Sequence, residues 1–557
     1  MNGAHWLVET LQRRGVEVVF ALCGNGLKPF LDACVDLQMP VIDTRNEQSA
    51  AYMADTWGRM TKRIGVVAVS AGPGHTNALT GVANAFWDGG PMLLISGCAT
   101  SQTRGLGHFQ ELDQVGMATP VCKYAQFVNR IEILEHEVTN ALGAALSGRP
   151  GPVHLTIPSD VFGAQMPDST VRGLDESPAA EINPQSLGSP GLVRDAIDSL
   201  ANADRPAIIV GNGAFYADAG EALAEFAALT HIPIFSNMWS RGCIETPLPE
   251  YMGTTFSGAT NGAYAGLAET DVVLVLGTEI DYRMGYGRPS DFSESTRFIR
   301  VDTDPGELSK TVEPMIGIVG DVRSVLEQMN NIAKSRTWAH QPWLEKLKSM
   351  REAFLAKWEP RGREDVSPLT SLRICREIQP VLEEDVTFLI DGGNIGRWAN
   401  MVLWNRNPAH WFTCGASGVV GWGIPGAVAA KLARPEKPVL LLSGDGSAGF
   451  TITEIETALR FNTPYVAVVA HDSAWGIEAD SREPDRRMGT VFGEIRFDRV
   501  AEALGAKGVY IEQPNQLAPA IRRGLASDTV TVIHVPTELG GIGYIDRQYA
   551  EDEAERV

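Results

Sequence analysis

The stretch 439–476 constrains the fold more than any other part of the chain. It opens with an apolar run at 439–442, of the kind that forms a parallel strand buried on both faces. Residues 444–447, Gly-Asp-Gly-Ser, break that run, and apolar residues then recur at helical spacing over 450–461. A second apolar run at 464–469 completes the pattern. The stretch therefore predicts a βαβ unit, whose right-handed crossover brings both strand ends to one edge of a sheet.

Two carboxylates, Asp445 and Asp472, follow these two strands. The start of a helix favours a phosphate because its first backbone N–H groups are free, and Asp445 lies in that turn. A carboxylate beside a phosphate needs a cation between them, so we expect both Asp residues to share one ion. Oxygen ligands of this kind suit Mg²⁺. The alternative is an ordinary βαβ unit in which Asp445 only caps the helix.

The whole stretch is more specific than its first residues. GDGS, a helix, a buried strand, a polar pair and then x-x-W-G resembles the thiamine diphosphate motif of the acetolactate synthase, benzaldehyde lyase and 2-hydroxyacyl-CoA lyase superfamily. The pair is usually Asn-Asn there, and His471-Asp472 keeps an oxygen ligand at the second position. The resemblance implies Asp445 and Asp472 as metal ligands. It implies cofactor contacts at Gly444, Asp445, Gly446, Ser447, Asp472, Trp475 and Gly476.

Composition bounds the class of protein. A chain of 557 residues is too long for one hydrophobic core and predicts about three domains. A net charge of −21 without a Lys/Arg run argues against a nucleic-acid partner. No apolar run reaches the ~20 residues that span a bilayer, and the N-terminal residues lack a signal-peptide pattern. The seven Cys show no paired spacing, so together with the lack of a signal-peptide pattern we expect a cytoplasmic protein. The lack of a spanning run predicts no membrane partner.

The first domain is predicted over residues 1–165, where strands and helices alternate as in a doubly wound parallel α/β sheet. Its strands are predicted at 16–20, 40–42, 65–69, 92–95 and 153–157. Ligands of such sheets meet the carboxyl ends of the strands, and Glu47 opens a helix just past the second one. A lone Glu in a first turn would serve only the helix dipole.

Three segments of this domain resemble the pyrimidine-binding domain of the same superfamily. They read RNEQSAAYMADTWGR, SAGPGHTNALTGVANAFWDGGPMLLISG and GHFQELDQ. The resemblance implies that Glu47 is the catalytic glutamate, whose carboxyl group hydrogen-bonds the aminopyrimidine ring and directs proton removal from the thiazolium carbon. It also implies a cofactor contact at Pro73.

A linker rich in Pro, Ser, Asp and Gly, at 166–191, leads to a middle domain predicted over 190–334. Its strands are predicted at 205–210, 232–235, 271–277 and 298–301. The turn 211–214 suits a nucleotide phosphate, and members of the superfamily bind FAD, ADP or nothing in this domain. Glu279 stands where the FAD-binding members usually have Arg, so we expect neither FAD nor ADP.

A second linker with an amphipathic helix, at 335–366, leads to the third domain, the diphosphate-binding domain predicted over 366–557. A strand at 387–390 ends in a Gly-rich loop, whose Asn394 is expected to contact the diphosphate. By resemblance, the Gly418 C=O accepts the aminopyrimidine N–H, and Val420 wedges between the two rings of the cofactor.

The substrate pocket is the part that the sequence determines least. The residues expected there by motif position are Asn25, Gly26, His75, Gln110, Trp398, Trp475 and Ile477. Gln110 fits a catalytic hydrogen-bond donor to a substrate carbonyl. His75 is either a catalytic acid–base residue whose ring points into the cleft or a cap of the helix that follows it.

The sequence therefore predicts a thiamine diphosphate- and Mg²⁺-dependent enzyme that acts on a small carbonyl substrate. The favoured chemistry is lysis, carboligation or decarboxylation of a 2-oxo acid or a 2-hydroxy ketone. Alternatives are a 2-hydroxyacyl-CoA lyase, a C–C hydrolase of a cyclic dione, and a noncatalytic nucleotide-binding scaffold. Because superfamily members build each site from two chains, the resemblance implies at least a homodimer, with a homotetramer common.

Overall fold

The described part of the chain forms three six-stranded sheets, each flanked by helices. A computed structural model describes residues 1–168, 185–238, 243–244, 248–256, 261–289, 291–403 and 410–540. All the strand pairs within the sheets are parallel. The predicted architecture of three α/β domains is confirmed. Part of the first predicted linker, at 169–184, lies outside the described residues.

The first sheet has the strand order β2-β1-β3-β4-β6-β5. Its strands are β1 (Val19–Leu22), β2 (Val41–Asp43), β3 (Gly65–Val69), β4 (Met92–Cys98), β5 (Tyr124–Phe127) and β6 (Pro152–Pro158). Its helices are α1 (Gly3–Arg13), α2 (Lys28–Asp36), α3 (Glu47–Thr61), α4 (Pro73–Asp88), α5 (Gln114–Ala118), α6 (Leu134–Leu146) and α7 (Ser159–Gly163). Alternate apolar residues of β1, β3, β4 and β6 pack with α1, α2 and α6 in one core. The sequence predicts every strand but β5, a short edge strand whose residues are only partly buried.

The middle sheet has the strand order β12-β11-β10-β7-β8-β9. Its strands are β7 (Ala207–Val210), β8 (Ile234–Ser236), β9 (Tyr251–Thr254), β10 (Val272–Leu276), β11 (Arg297–Asp302) and β12 (Ile316–Val319). Its helices are α8 (Pro190–Ala201), α9 (Asn212–Tyr216), α10 (Gly220–Thr230), α11 (Pro305–Leu308) and α12 (Val322–Ala333). Four of these strands are predicted, and the short outer strands β9 and β12 are not.

Helix α13 (Gln341–Trp358) crosses from the middle sheet to the third. Near its start, Trp343 and Leu347 pack in one face of the middle core with Leu267. Near its end, Phe354 and Trp358 belong to the core of the third sheet. The amphipathic helix predicted in the second linker is therefore present and contributes to two cores.

The third sheet has the strand order β14-β13-β15-β16-β18-β17. Its strands are β13 (Thr387–Asp391), β14 (His410–Thr413), β15 (Val439–Gly444), β16 (Val466–His471), β17 (Lys507–Tyr510) and β18 (Thr531–Pro536). The helices of this part of the chain are α14 (Ser371–Ile378), α15 (Asn394–Val402), α16 (Gly423–Ala433), α17 (Asp445–Thr451), α18 (Glu454–Arg460), α19 (Gly476–Asp480), α20 (Phe497–Ala503) and α21 (Leu517–Leu525).

The prediction of a single helix over 450–461 is wrong in its bounds. Helix α17 begins at Asp445, directly after β15, and a break at 452–453 separates it from α18. Small residues dominate the first turn of α17, so the spacing of apolar residues carries no signal for its start. The Asp445 carboxylate accepts the Gly446 N–H there, which favours this early start.

Packing divides the chain into two compact units. Unit 1 comprises Met1–Asn183, Cys414–Glu436 and Phe450–Pro464, and unit 2 comprises Pro184–Thr413, Lys437–Gly449 and Tyr465–Val557. Unit 1 thus contains the first sheet together with α16 and α18, and within it α3 packs against both α4 and α16. In the part of the chain that the structure describes, no helix has both the length and the apolar character needed to cross a membrane.

Candidate active site

The carboxyl ends of β13, β15 and β16 in unit 2 form one candidate half-site, which we call the aspartate edge. Asp445 directly follows β15 and Asp472 directly follows β16, and these strands are parallel neighbours. The buried Asp445 carboxylate accepts hydrogen bonds from the backbone N–H groups of Gly446 at 2.7 Å and Ser473 at 2.8 Å. Backbone donors therefore fix the orientation of this carboxylate at the start of α17.

Burial disfavours the charged forms of the two Asp side chains. Burial raises the pKa of Asp445 to about 6, against an ordinary value of 3.8. Burial and the nearby Asp445 charge raise the pKa of Asp472 to about 7. His471 lies with Nε2 3.8 Å from Asp445 Oδ2, but burial lowers its pKa, so the ring is neutral at pH 7. A cation bound between the carboxylates would stabilise both in their charged forms.

The turns around these carboxylates pack closely because they carry glycine. A Cβ at Gly446 would lie 2.6 Å from the Trp475 ring, and one at Gly476 would lie 2.3 Å from Asp472 Oδ2. A Cβ at Gly476 would also lie 2.5 Å from Nδ2 of Asn394, the first residue of α15. The structure therefore brings together the predicted cofactor contacts of this edge. Gly444 and Ser447 lie beside the 391–393 turn, and Ile477 packs on Gly393.

The carboxyl ends of β1 to β4 in unit 1 form the other candidate half-site, which we call the glutamate edge. Glu47 is the first residue of α3, and the Asn46 side chain caps this helix by accepting the Gln48 N–H at 2.7 Å. The Glu47 side chain is buried, and its Oε2 accepts a hydrogen bond from Asn77 Nδ2 at 3.0 Å. Helix α3 therefore presents a carboxylate held by a neutral partner.

Two residues of the glutamate edge are not predicted from the sequence. Asn77 holds Glu47, and the fully buried Glu454 of α18 accepts the Arg45 N–H at 3.0 Å just before α3. Burial also raises the Glu454 pKa. Asn77 is the last residue of the GPGHTN motif, and Glu454 begins α18 about two turns after the GDGS motif. Both positions therefore lie within or close to motifs that the sequence already marks.

The segment with Gly418 and Val420 is held by α3 and α4 within unit 1. The Ala416 N–H donates to Asp88 Oδ1 at 3.1 Å, and Trp422 Nε1 donates to Asp55 Oδ2 at 3.2 Å. Between them, the Tyr52 hydroxyl donates to the Val420 C=O at 3.3 Å. The helix that starts with Glu47 thus also anchors the segment predicted to contact the cofactor rings.

Charged side chains lie beneath this segment, and we call Asp55, Arg59, Asn84, Asp88 and Trp422 the charged network. Asp55 and Asp88 are fully buried, and each has a carboxylate oxygen 3.5 Å from Arg59 NH1. Asn84 Nδ2 donates to Asp55 at 2.8 Å. Burial raises the pKa of Asp55 to about 6, and the Arg59 charge opposes this shift.

The prediction that the His75 ring points into the substrate cleft is wrong, because the imidazole is fully buried. The alternative, a helix cap, is wrong too, since Gly72 is the N-cap residue of α4 and no side chain caps it. His75 Nδ1 instead shares a hydrogen bond with Ser96 Oγ at 2.9 Å, and its ring lies 4.8 Å from that of His154. Burial lowers the His75 pKa to about 4, so the ring is neutral.

The other predicted pocket residues fall in different places. In unit 1, Gly26 packs on Cys98 at the end of β4, and Asn25 Nδ2 donates to the Phe109 C=O at 3.3 Å, beside Gln110. In unit 2, Trp398 is buried edge-on against Trp358, 5.6 Å between ring centroids. The contact of Trp398 with a substrate stays a prediction.

The turn that suits a nucleotide phosphate in the middle sheet is closely packed. The Gly213 N–H, at the start of α9, donates to the Gly277 C=O at 2.9 Å. Glu279, which replaces the usual Arg, pairs with Arg283 at 3.5 Å. The Gly213 N–H is therefore already used in a hydrogen bond within the protein.

Comparison with known proteins places this geometry in a family. Residues 1–117, 193–329 and 391–535 match family models described as the N-terminal TPP binding domain, the central domain and the C-terminal TPP binding domain of thiamine pyrophosphate enzymes. Thiamine pyrophosphate is another name for thiamine diphosphate. A probable acetolactate synthase of Mycobacterium bovis is 31% identical over 551 residues, which cover 97% of this chain and 96% of the relative.

Two further relatives show the range of reactions. The acetolactate synthase isozyme 3 large subunit of Escherichia coli is 29% identical over 536 residues, covering 94% of this chain and 92% of the relative. A 2-hydroxyacyl-CoA lyase 2 of Danio rerio is 30% identical over 568 residues, covering 94% of this chain and 89% of the relative.

Proposed function

Because the chain belongs to the thiamine diphosphate-dependent enzymes related to acetolactate synthase, we propose that it makes or breaks a carbon–carbon bond beside a carbonyl group. The substrate class is a 2-oxo acid or a 2-hydroxy ketone. The observation that carries the proposal is the pair of carboxylates at the ends of neighbouring strands, the buried Asp445 and the half-buried Asp472. Family membership leaves the noncatalytic scaffold without support.

The residues of the aspartate edge fit a diphosphate with Mg²⁺. Asp445 and Asp472 offer carboxylate oxygens, the ligands that Mg²⁺ prefers. Burial raises the pKa of both groups, and the Asp445 charge adds to the shift at Asp472, so a divalent cation would stabilise their charged forms. Helix α17 begins at the same point, where backbone N–H groups favour a phosphate. We propose Asp445 and Asp472 as the protein ligands of the ion, with Asn394 and Ser447 beside the diphosphate.

Thiamine diphosphate, when bound, supplies a carbon nucleophile and an electron sink for the substrate carbonyl. The chain orients the reactants and moves protons. We propose that Glu47 exchanges a proton with the pyrimidine ring, and that Asn77 fixes the direction of its carboxylate through the bond to Oε2. Gln110 is proposed to donate a hydrogen bond to the substrate carbonyl.

Acetolactate synthase-type chemistry, the joining of two 2-oxo acids with loss of CO₂, is the favoured reaction. Its support is the likeness to acetolactate synthases over almost the whole chain. The second candidate is the lysis of a 2-hydroxyacyl-CoA thioester, which the likeness to the Danio rerio lyase supports at similar identity. For the middle domain we propose neither FAD nor ADP, since Gly213 already donates to Gly277 and Glu279 adds negative charge.

A homodimer is the smallest assembly that we propose, and a homotetramer the expected one. Its support is the set of exposed apolar side chains near both half-sites. Leu106 and Phe109 are 78% and 72% exposed in unit 1, and Met488 is 91% exposed in unit 2. Apolar groups of this kind commonly mark interfaces. Light scattering on a sizing column measures the assembly. We further propose a cytoplasmic location without a nucleic-acid or membrane partner.

The proposed function is tested with a substrate panel in the presence of thiamine diphosphate and Mg²⁺. The panel holds 2-oxo acids, 2-hydroxy ketones, a 2-hydroxyacyl-CoA thioester and a cyclic dione, and CO₂, aldehydes and coupled products are measured. We expect CO₂ and a coupled product from 2-oxo acids. Formation of an aldehyde from the thioester alone would favour the second candidate, and no cofactor-dependent turnover of any class would contradict the proposal.

Two variants assign the half-sites in the same assay. Asp445→Asn should lose cofactor retention, measured by quenching of tryptophan fluorescence, because the ion loses a charged ligand. Glu47→Gln should still bind the cofactor but lose turnover by roughly 10²- to 10⁴-fold, the range of a general acid–base contribution. Asp271→Asn is the matched control, since Asp271 also accepts backbone N–H groups, those of Asp204 and Arg205, in the middle domain.

A further inference from the structure

Gln114 is a buried residue that joins three separate parts of the glutamate edge. Its Oε1 accepts the Gly72 N–H at 3.0 Å, in the turn between β3 and α4. Its Nε2 donates to the Gly97 C=O in β4 at 3.3 Å and to Thr156 Oγ1 in β6 at 3.1 Å. Only 3% of the residue is exposed. One amide group therefore links three adjacent strands of the first sheet at their carboxyl ends.

The backbone conformation of Gly72 is one that residues other than glycine rarely adopt. Its φ is +59° with ψ −108°, and the Gln110 C=O lies 2.7 Å from where a Cβ of Gly72 would stand. Gln110 itself has φ +60°, a left-handed value that is uncommon for a residue other than glycine. Such conformations persist only where the surroundings hold them. Gly72 adopts its own conformation without steric cost because it has no Cβ, and its backbone lies close to that of Gln110, whose conformation is the uncommon one.

The segment 110–114 connects Gln110 to Gln114, the residue that bonds Gly72. Asp113 caps helix α5 by accepting the Gly116 N–H at 3.0 Å, and Gln114 is the first residue of that helix. Gln110 lies four residues before Gln114, so the bond from Gln114 to Gly72 holds Gln110 close to the Gly72 turn.

The bonds of Gln114 continue into a buried cluster of uncharged groups. We call Gln114, Thr156, His154, Ser96 and His75 the neutral network. Thr156 Oγ1 and Ser96 Oγ both share hydrogen bonds with His154 Nε2, at 3.1 and 3.2 Å, and Ser96 also bonds His75. Burial lowers the pKa of both histidines, His154 further through its neighbour His75. The cluster therefore stays uncharged at neutral pH and acts as a fixed support.

We propose that Gln114 is a positioning residue, which holds the Gly72–Pro73 turn and Gln110 in the arrangement that the reaction needs. The proposal rests on the proposed function, because Pro73 and Gln110 are assigned there to the cofactor and the substrate. Gln114 reaches neither directly in this assignment. A displacement of about 1 Å in a positioned group costs up to ~10²-fold in rate, so the loss of this amide should act on turnover through its two neighbours.

The test compares Gln114→Met, which keeps the length of the side chain but removes its hydrogen bonds, with Gln12→Met. Gln12 is the control because its Nε2 also donates to a backbone carbonyl, that of Leu37 at 3.0 Å, in a part-buried site of unit 1. We expect Gln114→Met to lower kcat/KM by about tenfold or more, and Gln12→Met to stay within about twofold of wild type.

Hydrogen exchange of the Gly72 amide, followed by mass spectrometry without cofactor, is the readout that does not depend on turnover. Gln114→Met should speed this exchange, whereas Gln12→Met should not. Gln114→Glu keeps an acceptor for the Gly72 N–H. It provides a second test if the Met variant does not fold. It should retain slow Gly72 exchange and lie between the Met variant and wild type in kcat/KM.

The outcomes separate this proposal from the proposed function. A Gln114→Met enzyme with wild-type kcat/KM and slow Gly72 exchange overturns the positioning role. Loss of melting temperature with unchanged kcat/KM also overturns it, since that result shows a purely structural residue. If wild type turns over no substrate of the panel, the proposed function fails, and Gly72 exchange still decides whether Gln114 holds the turn.

Discussion

The charged network and the neutral network support two parts of the same half-site with opposite chemistry. The charged network holds the segment that carries Gly418 and Val420 through Asp55 and Asp88, with the Arg59 guanidinium between them. The neutral network holds the Gly72–Pro73 turn through an amide, hydroxyl groups and uncharged imidazoles. Both are buried in unit 1.

Because of this difference in charge, mutations in the two networks should differ in how strongly they affect stability and positioning. Removal of one partner from a buried ion pair leaves an uncompensated charge and costs roughly 3–5 kcal/mol. Loss of a neutral buried hydrogen bond costs about 1 kcal/mol. We therefore expect damage to the charged network to unfold the protein first, and damage to the neutral network to disturb geometry in a protein that remains folded.

The largest effect is expected from Arg59→Met. The variant leaves Asp55 and Asp88 buried without their shared cation, and it removes a guanidinium that lies 5.5 Å from the Trp422 ring centroid. The free energy of unfolding at pH 8, measured with urea, should fall by about 3–5 kcal/mol. The control is Arg13→Met, which breaks an exposed i,i+4 pair with Glu9 and should cost less than about 1 kcal/mol. Equal losses in the two variants would remove the distinction between the networks.

A smaller loss is expected from Asn84→Leu, which keeps the size of the side chain. Asn84 Nδ2 donates to the Asp55 carboxylate, and hydrogen bonds to charged groups contribute about 1.5–3 kcal/mol. Urea unfolding should show a loss of about 2 kcal/mol, and cofactor affinity should fall because Ser417, just before Gly418, loses its bond to Asn84. An unchanged cofactor affinity would mean that this network does not position the segment.

The pH dependence of Arg59→Met sharpens the comparison further. The folded-state pKa of Asp55, about 6, lies above the ordinary 3.8, so its contribution to stability is present below pH 3.8 and is lost as the pH rises through 6. Arg59 lowers this pKa, so its removal raises the pKa further. The deficit of the variant relative to wild type should therefore be smaller at pH 5 than at pH 8, by about 1 kcal/mol or more. A deficit independent of pH would show that packing, not charge, is lost.

The smallest effect is expected from His75→Leu in the neutral network. The ring is uncharged and fully buried, and an apolar side chain of similar size replaces it at a cost of about 1 kcal/mol or less. Melting temperature and turnover are measured together. Turnover within about twofold of wild type would agree with the buried position, whereas a tenfold loss with an unchanged melting temperature would restore the acid–base role.

Local patterns in the sequence predict most of the fold. Long apolar strands such as β3, β4 and β15 are predicted within a few residues, because burial on both faces leaves an unmistakable run. The strands that are not predicted include β5 and β9, which have four residues each and lie at sheet edges, where the signal is short. The six-residue strand β18 is not predicted either, although it is buried and lies between β16 and β17. The start of α17 escapes because its first turn is built from small residues.

The sequence by itself determined the three α/β domains and the order of the motifs, with Glu47 after the second strand and Asp445 and Asp472 after neighbouring strands. Those features follow from residues that are close together in the chain. Only the tertiary structure decided that His75 is enclosed and that Gln114 bonds Gly72. These contacts join residues on β3, β4 and β6, and their proximity depends on the strand order β3-β4-β6, in which a strand distant in the chain becomes a neighbour in space.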